Sequence, residues 1–283
     1  MRVLLTGARG LLGAAMVREF SGIADLHPFG HRELDISDES AALTALEAVL
    51  PDVVINCAAY NDVDGAEADA DAALRVNAFG VLALARAARA TGATLVHYST
   101  DFVFDGEADR PYTEADRPNP RSVYATSKLL GDWLAEDAPR AYVLRVESLF
   151  GHPAEGRAPR GSVAAMVERI RHGDEVPVFV DRTVSPGYTA DIAWATRRLV
   201  EGQVAPGLYH CVNGGSASWA GIAEEVARLV GHPLRMKPLT LAAAALAAQR
   251  PRYCALSNDK LAGVGIAMPS WRDALARYLQ GWS

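Results

Sequence analysis

Three glycines near the start of the chain constrain its fold more than any other feature of the sequence. Gly7, Gly10 and Gly13 follow one another at intervals of three residues. A short apolar run at residues 3–5 precedes them, and Leu11–Phe20 follows with apolar residues at helical spacing. Glycines between a strand and a helix permit a tight turn, let the backbone approach a pyrophosphate group, and leave N–H groups of the helix N-terminus free to bind it. The chain is therefore predicted to begin with a dinucleotide-binding unit; the alternative is a tight turn that binds nothing.

The rest of the first half alternates short apolar runs with helical stretches. The runs at residues 53–55, 94–96 and 142–144 are bounded by polar or turn residues, and a long helical pattern covers residues 70–91. Strands that are apolar on both faces and alternate with helices are typical of a parallel sheet covered on both sides. We predict an α/β protein with a Rossmann-type, doubly wound parallel sheet.

The pattern changes after Gly151. Residues 152–161 contain two prolines, two glycines and three charged residues, which indicates an exposed loop or a domain boundary. We therefore predict a dinucleotide-binding domain over residues 1–150 and a smaller C-terminal substrate-binding lobe over 151–283, with some of its segments returning to the first domain. The second half is predicted to contain helices at 163–171, 190–200, 219–230 and 270–279, and strands near 176–180 and 208–212.

The composition excludes several other classes of protein. The 283 residues include 28 basic and 34 acidic ones, giving a net charge of −6 without a basic block. Such a chain lacks the electrostatic footprint for nucleic acid or an anionic membrane, and no apolar stretch reaches the roughly 18 residues that span a bilayer. Three widely spaced cysteines without a CxxC pair favour a reducing, cytoplasmic location. We expect a small-molecule partner, and a monomer or homodimer.

The residues after the predicted second strand bear on the choice of dinucleotide. An acidic residue there binds the ribose 2′-hydroxyl of NAD, whereas a basic one accommodates the 2′-phosphate of NADP. The strand Asp25–Phe29 is followed by Gly-His-Arg, ending in Arg32, with no carboxylate at its tip. We favour NADP(H) over NAD(H), bound through Arg32. The alternative is that Arg32 is a solvated surface residue and that Glu33 or Asp35 serves the ribose.

Tyr124 and Lys128 lie one helical turn apart, on the same face of a predicted helix. With nine tyrosines and three lysines in the chain, this spacing is expected by chance only about 0.1 times. An adjacent ammonium favours the phenolate, so we expect Lys128 to lower the pKa of Tyr124 from its usual value of about 10. Tyr124 then becomes a candidate proton donor for a carbonyl oxygen, and Lys128 a candidate contact for the cofactor ribose. The alternative is that the two residues are an ordinary exposed i, i+4 pair on the surface of a helix.

Hydroxyl groups follow the predicted strand at residues 94–96. Ser99 and Thr100 lie at its carboxyl end, the edge that faces the ligand crevice in an open α/β sheet. They are candidates to hold a substrate carbonyl, or simply turn residues. Further along, Arg250 and Arg252 are candidates to bind a substrate diphosphate, because paired guanidiniums suit phosphate oxygens; the alternative is a solvated loop.

Taken together, these residues resemble the extended short-chain dehydrogenase/reductases, and among them the dTDP-4-dehydrorhamnose reductase family. The resemblance covers nearly the whole chain. It is carried by residues 7–13, 56–64 and 97–104, Tyr124 with Lys128, and residues 181–191 and 207–210.

The resemblance implies NADP(H)-dependent reduction of the 4-keto group of a dTDP-linked 6-deoxy sugar. Thr100, Tyr124 and Lys128 are then the catalytic residues, with Tyr124 as proton donor, and Thr100 and Asp101 touch the sugar. The residues it places around the cofactor are Gly10, Leu11, Leu12, Asp35, Ile36, Ala58, Ala59 and Tyr60, with Tyr98 close by.

Several positions depart from the family pattern. Phe102 stands where the related 4,6-dehydratases carry an acidic residue, which disfavours dehydration. Ser148 replaces a tryptophan near the sugar, so we place Ser148 at the substrate site, and Arg182 replaces a glutamine. Ala15 replaces a glutamate that binds magnesium in some members, so we expect no metal. A 4-epimerase, and a non-catalytic dinucleotide-binding regulatory subunit of another enzyme, stay open as alternatives.

Overall fold

A computed structural model describes residues 1–282 as strands and helices in alternation. Most of the longer strands lie in the first half, where the apolar runs predict them. The strands are β1 (Arg2–Thr6), β2 (Asp25–Phe29), β3 (Val53–Asn56), β4 (Thr94–Thr100), β5 (Ala141–Val146), β6 (Leu149–Phe150), β7 (Glu175–Phe179), β8 (Thr183–Val184), β9 (Gly187–Tyr188), β10 (Gly207–His210), β11 (Ala217–Ser218) and β12 (Arg235–Leu239).

Six of these strands form one parallel sheet in the order β10-β5-β4-β3-β1-β2. The chain moves outward in one direction from β1 to β2 and in the other from β3 to β10. In an open α/β sheet, the point where the strand order reverses opens a crevice at the carboxyl ends of the strands. Here that crevice lies beyond the ends of β1 and β3. The predicted α/β fold with a Rossmann-type parallel sheet is confirmed.

Helices cover both faces of this sheet. α1 and α8 pack together on one face, and α2, α5 and α6 cover the other. No helix among residues 1–282 is long and apolar enough to cross a membrane. The helices are α1 (Leu11–Phe20), α2 (Glu39–Val49), α3 (Gly65–Ala68), α4 (Ala70–Leu74), α5 (Gly80–Thr91), α6 (Val123–Ala135), α7 (Ser162–His172), α8 (Thr189–Glu201), α9 (Trp219–Val230), α10 (Asp259–Gly263) and α11 (Trp271–Gln280).

The long helical pattern at residues 70–91 is not one regular helix. A π-helical turn, Arg75–Phe79, separates α4 from α5. Such turns are rare and often lie at functional sites. The widened turn contains Asn77, a buried residue that bonds to two segments next to the crevice.

A second hydrophobic core lies in the C-terminal part of the chain. It is formed mainly by α7, α9, α11 and the parallel pair of β7 with β12. The strand β10 and the helix α8 follow residue 151 in the chain, but they pack against the first sheet and its core. The two parts of the molecule therefore share a long boundary beside the carboxyl edge of the sheet.

The helix that carries Tyr124 begins at a serine N-cap, Ser122. Ser122 has an extended backbone, and its hydroxyl accepts a hydrogen bond from the Ala125 N–H at 3.2 Å. A serine at this position satisfies an N–H group that the helix leaves free. This cap places Tyr124 in the first turn of α6, at the carboxyl edge of the neighbouring strand β4.

Candidate active site and cofactor cavity

A cavity of about 640 Å³ opens at the carboxyl ends of β1 and β3. It lies at the reversal point of the sheet, where a dinucleotide-binding fold holds its ligand. The residues of the predicted cofactor set that line it are Gly7, Gly10, Leu11, Arg32, Asp35, Ile36, Ala58, Ala59 and Tyr60.

The glycine turn lies directly against the end of β3. Gly7 has a φ of +66°, and a Cβ added there would lie 2.5 Å from the carbonyl carbon of Cys57. A Cβ on Gly13 would collide with the Gly7 carbonyl group. The turn therefore needs glycine at both positions, for backbone conformation and for close approach. Gly13 and Leu12 lie behind the cavity, and the Leu12 side chain is part of the core.

The two acidic residues of the cavity lining, Glu33 and Asp35, are held by neighbouring side chains or backbone. Glu33 accepts a hydrogen bond from Arg9 at 2.6 Å. Asp35 accepts hydrogen bonds from the backbone N–H and the hydroxyl of Ser37, and the backbone bond is the main reason that the pKa of Asp35 is lowered. Arg32 is exposed on the cavity wall and forms no ion pair with any residue in the range 1–282.

Tyr124, Lys128 and Asp132 occupy one face of α6 at intervals of four residues, and all three are buried. The Lys128 ammonium donates a hydrogen bond to the Tyr98 carbonyl at 2.5 Å. Burial lowers the pKa of Lys128 to about 8, although the carboxylate of Asp132 opposes this effect. Asp132 in turn pairs with buried Arg145 at 3.3 Å. Sequence reasoning missed Asp132, although the spacing of four residues was there to find it.

The phenol of Tyr124 is held in its protonated form. Burial raises the pKa of Tyr124 above its usual value, the charge of Asp101 raises it further, and a hydrogen bond with Thr100 acts in the opposite direction. The expectation that Lys128 lowers this pKa is wrong for this structure, because desolvation of the phenolate dominates. A phenol that keeps its proton across the neutral range is suited to donating that proton, not to acting as a base.

An aromatic ring packs against Tyr124. The ring of Phe102 meets Tyr124 edge to face, with centroids 5.8 Å apart. The guanidinium groups of Arg182 and Arg250 lie over the same ring, 5.5 and 5.8 Å from its centroid. The position that carries a carboxylate in the dehydratases is therefore an apolar platform for two arginines.

Behind this platform lies a buried cluster of two carboxyls, a thiol and a guanidinium. One ligand atom from each of Asp101, Glu147 and Cys254 lies within 4.8 Å of the others. Arg182 donates a hydrogen bond to the Cys254 sulfur at 3.4 Å and supplies the positive charge of the cluster. Burial raises the pKa of Asp101 to about 6 and the pKa of Glu147 well above its usual value. Sequence reasoning noted the Arg182 replacement and missed Glu147.

Arg250 and Arg252 differ in their surroundings. Arg250 is largely buried and donates to Asp64 Oδ2 at 2.7 Å, so it is not a solvated loop residue. Asp64 also accepts a hydrogen bond from the Ala248 N–H at 2.9 Å. Arg252 is exposed. Ser148 is half-buried with a left-handed φ of +44°, directly after Glu147.

Tyr98 contributes to the site through its backbone. Its hydroxyl lies 2.6 Å from the Thr196 hydroxyl, inside the core that α8 forms with the sheet. The side chain thus points away from the cavity, and the Tyr98 carbonyl is the atom that contacts Lys128.

Asn77 is a further residue that sequence reasoning missed. Its amide group donates to the Tyr60 carbonyl and to the Ser127 hydroxyl, both at 3.0 Å, and accepts from the Tyr60 N–H at 2.9 Å. One buried side chain thereby fixes the cavity wall at Tyr60 relative to the helix α6. The π-helical turn that brings Asn77 into place has no simple sequence signal.

Comparisons with known proteins agree with this geometry. The family described as RmlD substrate binding domain matches residues 1–283. A probable dTDP-4,6-dihydroxy-2-methyloxan-3-one 4-ketoreductase of Streptomyces antibioticus is 40% identical over 97% of this chain and 93% of its own. A dTDP-4-dehydrorhamnose reductase of Streptomyces griseus is 37% identical over 97% of this chain and 91% of its own.

A solved structure shows the same likeness in three dimensions. The dTDP-4-dehydrorhamnose reductase of Bacillus anthracis, in complex with NADP, aligns with a TM-score of 0.93 and 32% identity, over 99% of this chain and 98% of that one. The family match, the relatives and the shared fold show that this chain belongs to the dTDP-4-dehydrorhamnose reductase family of the short-chain dehydrogenase/reductases.

Proposed function

We propose that the protein reduces the 4-keto group of a dTDP-linked 6-deoxy sugar with NADPH. The observation that carries this proposal is the buried Tyr124 phenol, with Thr100 and Lys128 beside it at the carboxyl edge of the sheet. The cofactor cavity opens at the same edge. The names of the relatives in the two Streptomyces species, both of them reductases of dTDP-linked sugars, support the same reaction class.

Each catalytic residue has one task in this reaction. The nicotinamide, when bound, supplies the hydride. Thr100 donates a hydrogen bond to the carbonyl oxygen and Tyr124 transfers its phenolic proton to that oxygen as negative charge develops there. The Lys128 ammonium stabilises the tyrosinate that remains. Because the pKa of Tyr124 is raised, its proton is present at the start of each turnover at neutral pH.

NADPH is the proposed cofactor because of the charge around Arg32. The two carboxylates that could bind a ribose hydroxyl, Glu33 and Asp35, are already engaged by Arg9 and Ser37. Arg32 is left to meet a 2′-phosphate. The related enzyme of Bacillus anthracis was solved with NADP.

Two keto sugars fit the names of the relatives: dTDP-4-dehydrorhamnose, and the sugar of the Streptomyces antibioticus ketoreductase. The proposed sugar-binding residues Glu147, Ser148 and Arg182 depart from the family pattern. We therefore propose the class of reaction, and the assay below compares both sugars as substrates.

The test follows NADPH absorbance when the purified protein is mixed with each keto sugar. Oxidation by the wild type, and a loss of kcat of about 10²-fold or more in Tyr124→Phe, supports the assignment of the proton donor. NADPH affinity should be unchanged in the variant, because the substitution removes only the phenolic hydroxyl. Saturable NADPH binding without turnover of either sugar would overturn the proposed reaction.

A further inference from the structure

The loop at residues 152–161 belongs to the C-terminal half of the chain, yet it forms one wall of the cofactor cavity. Pro153, Ala154, Arg157, Ala158 and Arg160 line the same cavity as the glycine turn and Arg32. None of these five residues was a sequence-predicted cofactor residue. The loop therefore brings two guanidinium groups to a site that the first half of the chain only partly encloses.

Hydrogen bonds at its first two residues hold this loop against the helix α1. Arg18, in the last turn of α1, donates hydrogen bonds to the His152 carbonyl at 2.8 Å and to the Pro153 carbonyl at 3.2 Å. At the other end, Gly161 precedes α7 with a φ of +98°. α1 is also the helix whose N-terminus follows the glycine turn, so the loop is tied to the element that binds the dinucleotide.

The middle of the loop is a tight turn. The Arg157 N–H donates to the Ala154 carbonyl at 3.1 Å, and Gly156 adopts a left-handed φ of +72°. Glycine takes this conformation at no steric cost. Arg157, in this turn, and Arg160, three residues later, both line the cavity.

The cavity carries an excess of positive charge. Arg32, Arg157 and Arg160 are exposed, and none of them pairs with a carboxylate within the described part of the chain, residues 1–282. Both acidic residues of the cavity lining, Glu33 and Asp35, are held by other partners. Three unpaired guanidinium groups that line one cavity suit a doubly charged phosphate group, because guanidinium binds phosphate oxygens in a bidentate way.

The dinucleotide itself has two places for such charge. The pyrophosphate is served by the glycine turn and the N-terminus of α1. The 2′-phosphate of the adenosine ribose is a monoester with more charge, and it belongs at the end of the cavity where Arg32 lies.

We propose that Arg157 and Arg160 bind the 2′-phosphate of NADPH together with Arg32, so that loop 152–161 closes over the cofactor and selects it. The inference rests on the proposed function only in requiring that the protein binds NADPH. Cofactor choice is then shared between the two halves of the chain, and the loop that bounds the second half acts as a specificity element.

The test measures direct binding and needs no keto sugar. Dissociation constants for NADPH, NADH, adenosine 2′,5′-bisphosphate and AMP are determined for the wild type and for the double variant Arg157→Ala/Arg160→Ala. The matched control, Arg140→Ala/Arg198→Ala, removes the same charge from exposed residues that lie outside the cavity lining. Arg140 precedes β5, at the opposite edge of the sheet from the cavity.

The loop variant should lose about tenfold or more in affinity for NADPH and for adenosine 2′,5′-bisphosphate, since hydrogen bonds to charged groups are among the stronger ones. NADH and AMP should bind it as they bind the wild type, and the control should change none of the four. The wild-type preference for NADPH should also weaken as salt is raised.

Equal losses for NADPH and NADH would overturn the proposal, because the loop would then contact the part that both cofactors share. An unchanged NADPH affinity in the loop variant would overturn it as well. A wild type that binds both cofactors equally would overturn the loop's selective role and leave the reductase proposal intact. Failure to turn over keto sugars, with these affinities as expected, would overturn the proposed reaction alone.

Discussion

The cofactor cavity and the candidate catalytic trio Thr100, Tyr124 and Lys128 lie at the same edge of one sheet, but they are built in opposite ways. The cavity is open to solvent, and its lining combines the glycine turn, apolar side chains and exposed arginines. The three side chains of the candidate catalytic trio are all buried. The difference teaches that binding a dinucleotide needs a shaped surface with N–H groups and charge, whereas proton transfer needs side chains whose pKa values are set by exclusion of water.

The largest effect is expected at the glycine turn, where the cavity depends on backbone shape. Gly7→Ala should lower cofactor affinity by about 100-fold and destabilise the fold, since its Cβ would lie 2.5 Å from the Cys57 carbonyl carbon. The matched control is Gly22→Ala, where φ is +80° and nothing lies within 4 Å. That change should cost only the backbone strain, about 1 kcal/mol, in the free energy of unfolding. The free energy of unfolding is measured by calorimetry and the NADPH affinity by titration. If Gly7→Ala and Gly22→Ala changed these two quantities equally, the close packing of the turn would not be what requires glycine at position 7.

The second prediction concerns the cost of burying the Asp101 carboxyl beside the candidate catalytic trio. Asp101 has a pKa of about 6 in the folded protein against an ordinary value of 3.8. A raised folded pKa means that stability is lost as pH rises from about 4 to about 6, because the unfolded chain releases its proton first. Asp101→Asn should therefore raise the free energy of unfolding by about 3 kcal/mol at pH 8 and about half as much at pH 5.

Urea denaturation at the two pH values measures this gain, with exposed Asp109→Asn as the control that should show none. The Asp101 variant should also lose reductase activity, since we place Asp101 against the sugar. A variant that is less stable than the wild type at pH 8 would show that the ionised carboxylate is a net stabilising group.

A smaller effect is expected from titration of Lys128. Its pKa is lowered to about 8, so its ammonium is present below that pH and is lost above it. The rate of reduction at saturating NADPH should fall about tenfold per pH unit above pH 8, because the tyrosinate would lose its stabilising charge. Burial keeps the pKa of Tyr124 above this range, so the fall in rate above pH 8 is assigned to deprotonation of Lys128. A profile that stays flat to pH 10 would exclude this role for the ammonium.

The smallest effects are expected where the two halves of the chain meet at Arg250. Arg250→Ala should raise KM for the sugar nucleotide several-fold, because it removes a guanidinium from above Phe102, and should leave NADPH affinity unchanged. Its ion pair with Asp64 is partly exposed, so the loss of stability should be about 1 kcal/mol or less. Arg121→Ala, which breaks an exposed pair with Glu107 at 3.4 Å, is the control for KM. An equal change in KM in both variants would show that Arg250 acts only through net charge.

Sequence reasoning succeeded where the signal was local. The glycine spacing, the helix face shared by Tyr124 and Lys128, and the alternating apolar runs each involve residues within a few positions of one another. Backbone conformation and helical periodicity act over that same range. Gly7, Gly10 and Arg32, chosen from local pattern, line the cavity, as do most of the cofactor residues that the family resemblance supplied. The Tyr98 side chain, also placed by resemblance, lies in the core.

Reasoning failed where distant segments meet. Glu147, Arg182 and Cys254 come from three separate parts of the chain, and only folding makes them one buried cluster beside Asp101. The pairing of Arg250 with Asp64 joins residues 186 positions apart. No local pattern encodes such contacts.

The sequence by itself determined the class of fold, the turn that receives a dinucleotide and the helix face that carries the tyrosine and the lysine, because these follow from local sterics and periodicity. Only the tertiary structure decided the protonation of Tyr124, the buried cluster around Arg182 and the loop that lines the cofactor cavity. The physical reason is that burial, and the charges that burial brings together, depend on which distant residues fold against each other.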